Sequence, residues 1–170
     1  MPNTSTYPSP DFETVLQQHR GIIFKVARLY TRSEADFEDL VQDISIQIWQ
    51  SLGNYKPTYA LSTWLYRIAL NVSIDRLRRE ERRQRHQEAF EALPHTGQPG
   101  QPSGRSEQLH RWVQALPPLE RALMLLYLED YPHGEIGEML GISKSNVGTK
   151  ISRLKQRLKK ELKLHHYGNE

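Results

Sequence analysis

The sequence predicts an all-α fold of two small helical domains joined by a flexible linker, with a helix-turn-helix in the second domain. Apolar residues recur at three- and four-residue steps along most of the 170-residue chain, as on the buried face of a helix. No stretch alternates apolar and polar residues as a half-buried strand does. A segment of proline, glycine and polar residues near the middle separates two such periodic regions.

The first two helices are predicted from their start signals and apolar stripes. Asp11 follows Pro10 and can cap the first helix through its carboxylate. Residues 33–36, Ser-Glu-Ala-Asp, resemble a capping box that opens the second helix, which Gly53 and Asn54 end. The first stripe consists of Phe12, Val15, Leu16, His19, Ile22, Ile23, Val26 and Tyr30. The second consists of Phe37, Leu40, Val41, Ile44, Ile48 and Leu52.

The third helix is expected to follow an irregular loop at residues 54–61. This loop holds Tyr55, Pro57 and Tyr59, and its composition is typical of a turn-rich connection. Ser62 or Thr63 can cap the helix because a hydroxyl accepts a hydrogen bond from a free backbone N–H of the first turn. The predicted buried stripe consists of Leu65, Ile68, Ala69, Val72 and Leu77.

The linker is predicted from an abrupt change of composition. Residues 94–105, Pro-His-Thr-Gly-Gln-Pro-Gly-Gln-Pro-Ser-Gly-Arg, have no apolar side chain apart from their prolines. Such a segment cannot pack a core. The predicted organisation is a disordered N-terminus at 1–10, a first domain at 11–93, the linker at 94–105, a second domain at 106–164 and a tail at 165–170.

Residues 134–151 have the pattern of a helix-turn-helix. Gly137 allows the second helix to approach the first closely, and Gly141 can adopt the left-handed conformation of the sharp turn. Ile142 is expected to fill the angle between the helices, and Ser143 to cap the second. That helix would bury Val147, Ile151, Leu154, Leu158 and Leu162. Its exposed face would carry Lys144, Ser145, Asn146, Thr149, Lys150 and Arg153, which can pair with base edges or phosphates in a major groove.

Composition excludes several kinds of protein. With no cysteine, disulfide frameworks, cysteine-zinc sites and thiol nucleophiles are excluded. No apolar run approaches the roughly 18 residues of a membrane span, and the N-terminus lacks a basic-then-apolar leader. We therefore expect a cytoplasmic location without a membrane span.

Charge is segregated along the chain, although the net charge is only +3. Residues 34–43 hold five acids and no base. Residues 67–85 hold seven arginines against three acids, and residues 144–163 hold eight bases against one acid. Such asymmetry predicts separate surfaces for separate partners, although each run is equally compatible with a solvated helix face.

A second candidate surface lies on the third helix. Trp64, Arg67, Asn71, Asp75 and Arg78 share the face opposite the predicted core because they are three or four residues apart. With the tyrosines of the preceding loop, they offer stacking planes, an amide and cations to a single-stranded base. Trp64 is equally well explained as a packing residue that shapes the loop.

The sequence resembles the sigma factors of bacterial RNA polymerase, specifically the small extracytoplasmic-function (ECF) group. Residues 36–43 followed by Ile48-Trp49 are similar to the family's region-two helix, and residues 62–78 to its promoter-melting helix. Residues 116–121 and 135–143 are similar to the opening and the helix-turn-helix of region four. The resemblance extends from about Phe12 to Leu162.

The resemblance implies a role for each surface. Docking on the clamp of the polymerase's largest subunit would involve Asp36, Glu38, Asp39, Gln42 and Asp43. Melting and binding of the minus-ten element would involve Tyr55, Tyr59, Trp64, Arg67, Asn71, Asp75, Arg76 and Arg79. The minus-thirty-five element would be read by Lys144, Ser145, Asn146, Thr149, Lys150, Ser152 and Arg153.

The same resemblance implies partners and excludes others. It implies core RNA polymerase, including the flap of the second-largest subunit, together with promoter DNA and an anti-sigma factor. We also expect no enzymatic activity, no cofactor and no metal. Two positions depart from the family pattern: Gly137 replaces the usual alanine, and Gly148 stands where relatives often carry a basic side chain.

Two other functions are compatible with parts of the sequence. A free-standing helix-turn-helix regulator would act as a dimer on two half-sites, but this leaves the acidic helix unexplained. A metal-dependent nuclease could use Asp36, Asp39 and Asp43, which lie at helical spacing. The sequence has no phosphate-binding glycine loop, paired histidine motif or nucleophile elbow to support the nuclease.

Overall fold

A computed structural model of the chain describes residues 10–88 and 104–167, and the side chains of residues 10–86, 104 and 106–161. All regular structure in the described residues is helical, which confirms the predicted all-α class. The helices are α1 (Phe12–Tyr30), α2 (Glu34–Ser51), α3 (Leu61–Glu88), α4 (Arg105–Ala115), α5 (Pro118–Leu128), α6 (His133–Leu140) and α7 (Lys144–Tyr167). A 3₁₀ turn, Leu52–Asn54, follows α2.

The helices form two compact units. The first contains α1 to α3, and the second contains α4 to α7. Arg105, the last residue of the predicted linker, is the first residue of α4. The helix α7 continues through Tyr167, beyond the predicted end of the second domain. The predicted disordered N-terminus and the linker residues 94–103 lie outside the described residues, apart from Pro10.

The predicted caps of α1 and α2 are present. The Asp11 carboxylate accepts hydrogen bonds from the Thr14 backbone N–H at 3.0 Å and hydroxyl at 2.9 Å. The Ser33 hydroxyl accepts from the Asp36 backbone N–H at 3.1 Å. It also donates to the Asp36 carboxylate at 2.6 Å, so that carboxylate is turned towards Ser33. These bonds fix where α1 and α2 begin.

The turn between α1 and α2 is held by a stacked side-chain cluster. The Arg28 guanidinium forms two bonds to the Glu34 carboxylate, at 2.6 and 3.0 Å, and lies 3.7 Å from the centre of the Phe37 ring. The Phe24 ring packs edge-on against Phe37 at 5.4 Å. The bond from Arg28 lowers the pKa of Glu34. The cluster thereby fixes the angle at which α2 leaves α1.

The third helix differs from its prediction in its start and its buried face. It begins at Leu61, so Ser62 and Thr63 lie in the first turn and neither is the cap. Leu65 and Ala69 are fully buried as predicted, but Ile68, Val72 and Leu77 are only partly buried. The other buried residues of the helix are Tyr66, Leu70, Ser73 and Ile74. The prediction of one buried stripe was incomplete, because α3 packs against both α1 and α2 and so buries two adjoining faces.

In the second unit, α5 is the central helix. Residues 121–126 are all buried, because α5 packs against α4, α6 and α7. The helix starts with Pro118, directly after Pro117. Proline is tolerated there because a backbone N–H in the first turn has no acceptor within the helix. The buried middle of α5 supports the helix-turn-helix that follows it.

The helix-turn-helix has the predicted turn. Gly141 has a φ of 70°, the left-handed conformation, and its N–H donates to the Gly137 carbonyl. The Ile142 N–H donates to the same carbonyl at 3.0 Å. A Cβ added at Gly137 would lie 2.5 Å from the Ile142 carbonyl oxygen, closer than any carbon tolerates. The prediction that Gly137 permits close approach is therefore confirmed.

The second helix of the motif, α7, is capped and buried as predicted. The Ser143 hydroxyl accepts from the Asn146 backbone N–H at 3.2 Å. Val147, Ile151 and Leu154 are buried and Leu158 is partly buried. The side chain of Leu162 lies outside the described residues. The opposite face of α7 is left to solvent.

Candidate polymerase and nucleic-acid interfaces

The helices α2 and α3 enclose a groove of about 470 Å³ on the surface of the first unit. It is lined by Asp43, Ile46, Gln47, Ile68, Asn71, Val72, Asp75 and Arg79. Three residues predicted for the minus-ten element, Asn71, Asp75 and Arg79, therefore share one groove. Asp43, predicted for polymerase docking, lies in the same groove, so the two predicted surfaces adjoin.

The loop before α3 is organised by its aromatic side chains. The Tyr55 ring lies 5.3 Å from the Trp64 ring, and the Tyr55 hydroxyl donates to the Tyr59 carbonyl at 2.8 Å. Trp64 is partly buried, whereas Tyr59 is 51% exposed. Trp64 and Tyr55 thus pack on each other and shape the loop, and Tyr59 offers its ring to solvent. Arg67 is exposed on the first turns of α3, one turn before Asn71.

Arg76 has neighbours different from those of the other predicted minus-ten residues. Its guanidinium bonds to the Asp43 carboxylate at 2.9 Å and lies 3.6 Å from the Asp39 carboxylate and 3.7 Å from that of Asp36. We call these three aspartates of α2 the acidic row. Sequence spacing placed the acidic row on one face, but gave no signal for a cation 33 residues further along.

The acidic row remains accessible although Arg76 contacts it. The side chains of Asp36, Asp39 and Asp43 are 58, 67 and 51% exposed. Glu38 and Gln42 are also exposed. The described residues contain no cluster of three or more His, Asp or Glu side chains arranged to hold a metal ion.

Two exposed apolar residues of α2 were missed by the sequence reasoning. Trp49 is 64% exposed and Ile46 is 47% exposed. They lie three residues apart on α2, and Ile46 lines the groove. Their exposure is hard to predict from the sequence, because Ile48, which lies between them in the chain, belongs to the predicted stripe and is fully buried.

The residues predicted for the minus-thirty-five element lie together on α7. Six are exposed: Lys144, Ser145, Asn146, Thr149, Ser152 and Arg153. Lys150 is partly buried. The Thr149 hydroxyl donates to the Ser145 carbonyl at 3.0 Å, which fixes its orientation. The exposed N-terminal half of α7 therefore presents amide, hydroxyl and cationic groups on one surface.

Part of the positive charge of α7 is engaged within the unit. Lys155 donates to the Tyr127 hydroxyl at 3.2 Å, and Arg157 bonds to the Glu120 carboxylate at 3.0 Å. His133, the first residue of α6, lies beside Gly148, where an added Cβ would be 3.5 Å from its Nδ1. His133 was not predicted, since only the fold brings it to α7.

Two family models match the chain, one in each unit. The Sigma-70 region 2 family matches residues 15–83, and the Sigma-70 region 4 family matches residues 106–158. The ECF sigma factor SigE of Mycolicibacterium smegmatis is 29% identical over 163 residues. The chain belongs to the ECF sigma factors. The family resemblance predicted from the sequence is thereby confirmed.

The relatives cover most of this chain. The alignment with SigE spans 92% of this chain and 63% of SigE, so the chain covers less than two thirds of that relative. The ECF sigma factor SigW of Bacillus subtilis is 25% identical over 166 residues, spanning 89% of each chain.

Two solved structures share the fold. RpoE from Bartonella quintana, in complex with the anti-sigma factor NepR, has a TM-score of 0.71 and 20% identity, and the match covers 90% of this chain and 97% of RpoE. CnrH, in complex with the cytosolic domain of CnrY, has a TM-score of 0.63 and 24% identity, covering 90% and 88%. None of the described helices of this chain has the length and apolarity that a membrane crossing requires.

Proposed function

We propose that this protein binds core RNA polymerase and directs promoter recognition, DNA melting and transcription initiation. The observation that carries the proposal is the match to region 2 in the first unit and to region 4 in the second, in that order. Each unit also has its own exposed polar surface. A protein that reads two promoter elements needs two such surfaces.

Docking on the polymerase is assigned to the exposed polar side of α2. Its residues are Asp36, Glu38, Asp39, Gln42 and Asp43, which suit a basic partner surface such as the clamp of the largest subunit. Their exposure supports this role. Reversing the charge of Asp39 and Asp43 to lysine is expected to abolish polymerase binding without changing the helix content. Unchanged binding would remove α2 from the docking surface.

Melting of the minus-ten element is assigned to α3 and the loop before it. Extruding a base costs a few kcal/mol of unstacking, and contacts to the flipped base must offset this. Asn71 and Arg79 both line the groove, and the preceding loop carries the exposed Tyr59 ring. Arg67 and Asp75 complete the polar row on α3, while Tyr55 and Trp64 hold the loop in place.

The minus-thirty-five element is assigned to the exposed face of α7. A helix whose N-terminal half presents base-reading side chains fits the major groove. Arg153 and Asn146 are suited to base edges, and Lys144 and Lys150 to phosphates. Ser145, Thr149 and Ser152 supply hydroxyls at the same surface.

The regulatory partner is proposed to be an anti-sigma factor. Both solved structures described above hold a sigma factor bound to another protein, an anti-sigma factor in the case of RpoE. The exposed Trp49 and Ile46 in this chain provide apolar area that a protein partner could cover. A cytoplasmic location and a contact with the flap of the second-largest polymerase subunit are part of the same proposal.

Run-off transcription on sheared genomic DNA tests the proposed function. Core polymerase is supplied with and without this protein, and the 5′ ends of the RNA are sequenced. New start sites that share two spaced upstream motifs are expected. If none appear while a known sigma factor activates the same polymerase, the proposal fails. Tight binding of the protein alone to duplex DNA as a dimer would then favour a free-standing regulator.

A further inference from the structure

Arg76 lies at the centre of the acidic row and is less exposed than any member of it. Its side chain is 29% exposed, against 51 to 67% for the three aspartates. It comes from α3, whereas the aspartates come from α2. The guanidinium therefore sits at the junction of the two helices, with the carboxylates arranged around it on the solvent side.

A cation among the three aspartates reduces their mutual repulsion. They occupy positions i, i+3 and i+7 of one helix, where like charges on neighbouring turns repel one another. A guanidinium is planar and carries five donors, so it can serve several carboxylates at once. Arg76 approaches Oδ2 of Asp39 and of Asp43, and Oδ1 of Asp36.

The contacts divide the acidic row into one anchored and two presenting members. Asp36 has both oxygens engaged, because Oδ1 faces Arg76 and Oδ2 accepts from the Ser33 hydroxyl at 2.6 Å. Asp39 and Asp43 approach Arg76 through Oδ2, at 3.6 and 2.9 Å. Their side chains are at least half exposed, which leaves room for a cation from a partner.

We propose that Arg76 is a positioning residue for polymerase docking. Its guanidinium orients the Asp39 and Asp43 carboxylates for a basic partner, and it does not contact promoter DNA. This inference rests on the proposed function, because it deepens the role of the docking surface. It moves Arg76 from the predicted minus-ten group to the docking side of the groove.

Binding of the full-length chain to core polymerase tests this role through Arg76→Ala. A preordered carboxylate pair loses less side-chain entropy on binding, so we expect affinity to fall roughly five- to tenfold in the variant. Arg76→Lys should recover only part of this loss, since an ammonium is a point charge that cannot bridge the row. Arg82→Ala is the matched control, because Arg82 lies on the same helix and donates to the Arg78 carbonyl.

The dependence on Asp39 and Asp43 separates positioning from a general structural effect. In a chain that carries Asp39→Asn and Asp43→Asn, adding Arg76→Ala should change polymerase affinity little further. An undiminished loss in that background would show that Arg76 acts otherwise, and would overturn the proposal. Tighter polymerase binding by Arg76→Ala would also overturn it, because Arg76 would then be a competitor for the carboxylates.

The salt dependence of promoter binding by the reconstituted holoenzyme tests contact with DNA. Loss of one phosphate contact lowers the slope of log affinity against log salt by about 0.9. We expect the slope of Arg76→Ala to equal that of the wild type. A lower slope with unchanged polymerase affinity would restore Arg76 to the DNA surface.

If the wild-type chain itself neither binds polymerase nor directs initiation, the proposed function is wrong, and the role proposed for Arg76 is wrong with it.

Discussion

The candidate surfaces of the two units are built in different ways. On α7 the seven residues predicted for the minus-thirty-five element lie within residues 144–153, on one helix that begins at its own cap. In the first unit the surface is assembled from α2, α3 and the loop between them. Its central ion pair, Arg76 with Asp43, joins residues 33 positions apart. The surface of the first unit therefore depends on how α2 and α3 meet. The surface of α7 depends on the single turn before that helix.

This difference predicts where each unit is vulnerable. A change at the tight turn before α7 should disturb the whole recognition surface, because the turn sets the orientation of the helix that carries it. A change at one contact between α2 and α3 should alter one function of the first unit, because the core beneath is packed independently by residues such as Ile44 and Leu70.

The largest effect is expected from Gly137→Ala. Its Cβ would lie 2.5 Å from the Ile142 carbonyl oxygen, a backbone atom that cannot move without shifting the turn. Overpacking of this kind is destabilising by about 1–3 kcal/mol. Hydrogen exchange of the α6 and α7 amides should report a lower free energy of opening in the second unit.

Gly148→Ala is the matched control for Gly137→Ala. An added Cβ at Gly148 would meet only the His133 ring, at an ordinary contact distance of 3.5 Å. Replacing a glycine within a helix by alanine stabilises the helix by up to about 1 kcal/mol. The two alanine variants should thus move the opening free energy in opposite directions. Equal destabilisation by both would contradict the importance of the turn.

Arg153→Ala tests the recognition surface of α7 directly. Loss of one good base contact is expected to weaken use of the upstream element by about 1–3 kcal/mol. Transcription should be compared on promoters with native and mutated minus-thirty-five elements. Lys160→Ala, an exposed change on the same helix, is the control. If Arg153→Ala lowers transcription equally on both promoters, the residue does not read that element.

Asn71→Ala tests the groove between α2 and α3. Asn71 lines the groove together with Asp75 and Arg79, and we expect the groove to bind the extruded base. Loss of one such hydrogen bond, worth about 1 kcal/mol, should slow promoter opening roughly fivefold. Binding of the closed complex should be unchanged. Gln50→Ala, an exposed change on α2, should slow neither step.

Potassium permanganate footprinting and filter binding can separate the two steps for Asn71→Ala. A defect confined to closed-complex binding would remove Asn71 from the melting surface. Because docking is proposed to lie on α2, the affinity of core polymerase for Asn71→Ala should equal its affinity for the wild type. This result would sharpen the separation between the docking and melting sides of the groove.

The same contrast explains how much the sequence could predict. The helix-turn-helix follows from local rules: Gly141 adopts the left-handed turn, Ser143 caps α7, and Val147 begins the buried stripe. All these interactions span only a few residues. The predicted caps Asp11 and Ser33 are present for the same reason.

The first unit was harder to predict because its features depend on contacts between helices. The stripe predicted for α3 omitted Leu70, which is fully buried, because periodicity describes one buried face and α3 has two. The partner of the acidic row could not be inferred, since spacing within α2 carries no information about Arg76. Exposure of Trp49 likewise depends on which side of α2 the other helices cover.

The smallest predicted effect concerns the caps of α1 and α7, which differ in chemistry. The bond from the Thr14 backbone N–H, followed by that from its hydroxyl, lowers the pKa of the Asp11 carboxyl below its ordinary value of 3.8. A carboxyl whose pKa is lower in the folded state stabilises that state at every pH above the unfolded-state pKa. This stabilisation is lost as the pH falls through the folded-state pKa. The Ser143 hydroxyl does not ionise.

Acidification below about pH 4 should therefore fray the first turn of α1 and leave that of α7 capped. NMR titration of the Thr14 and Asn146 amides measures this difference. The Thr14 signal should shift with the apparent pKa of Asp11, and the Asn146 signal should show no matching transition. In Asp11→Asn the α1 transition should disappear while the cap persists, because asparagine caps about as well as aspartate. A Thr14 transition that survives in Asp11→Asn would assign the pH dependence to another group.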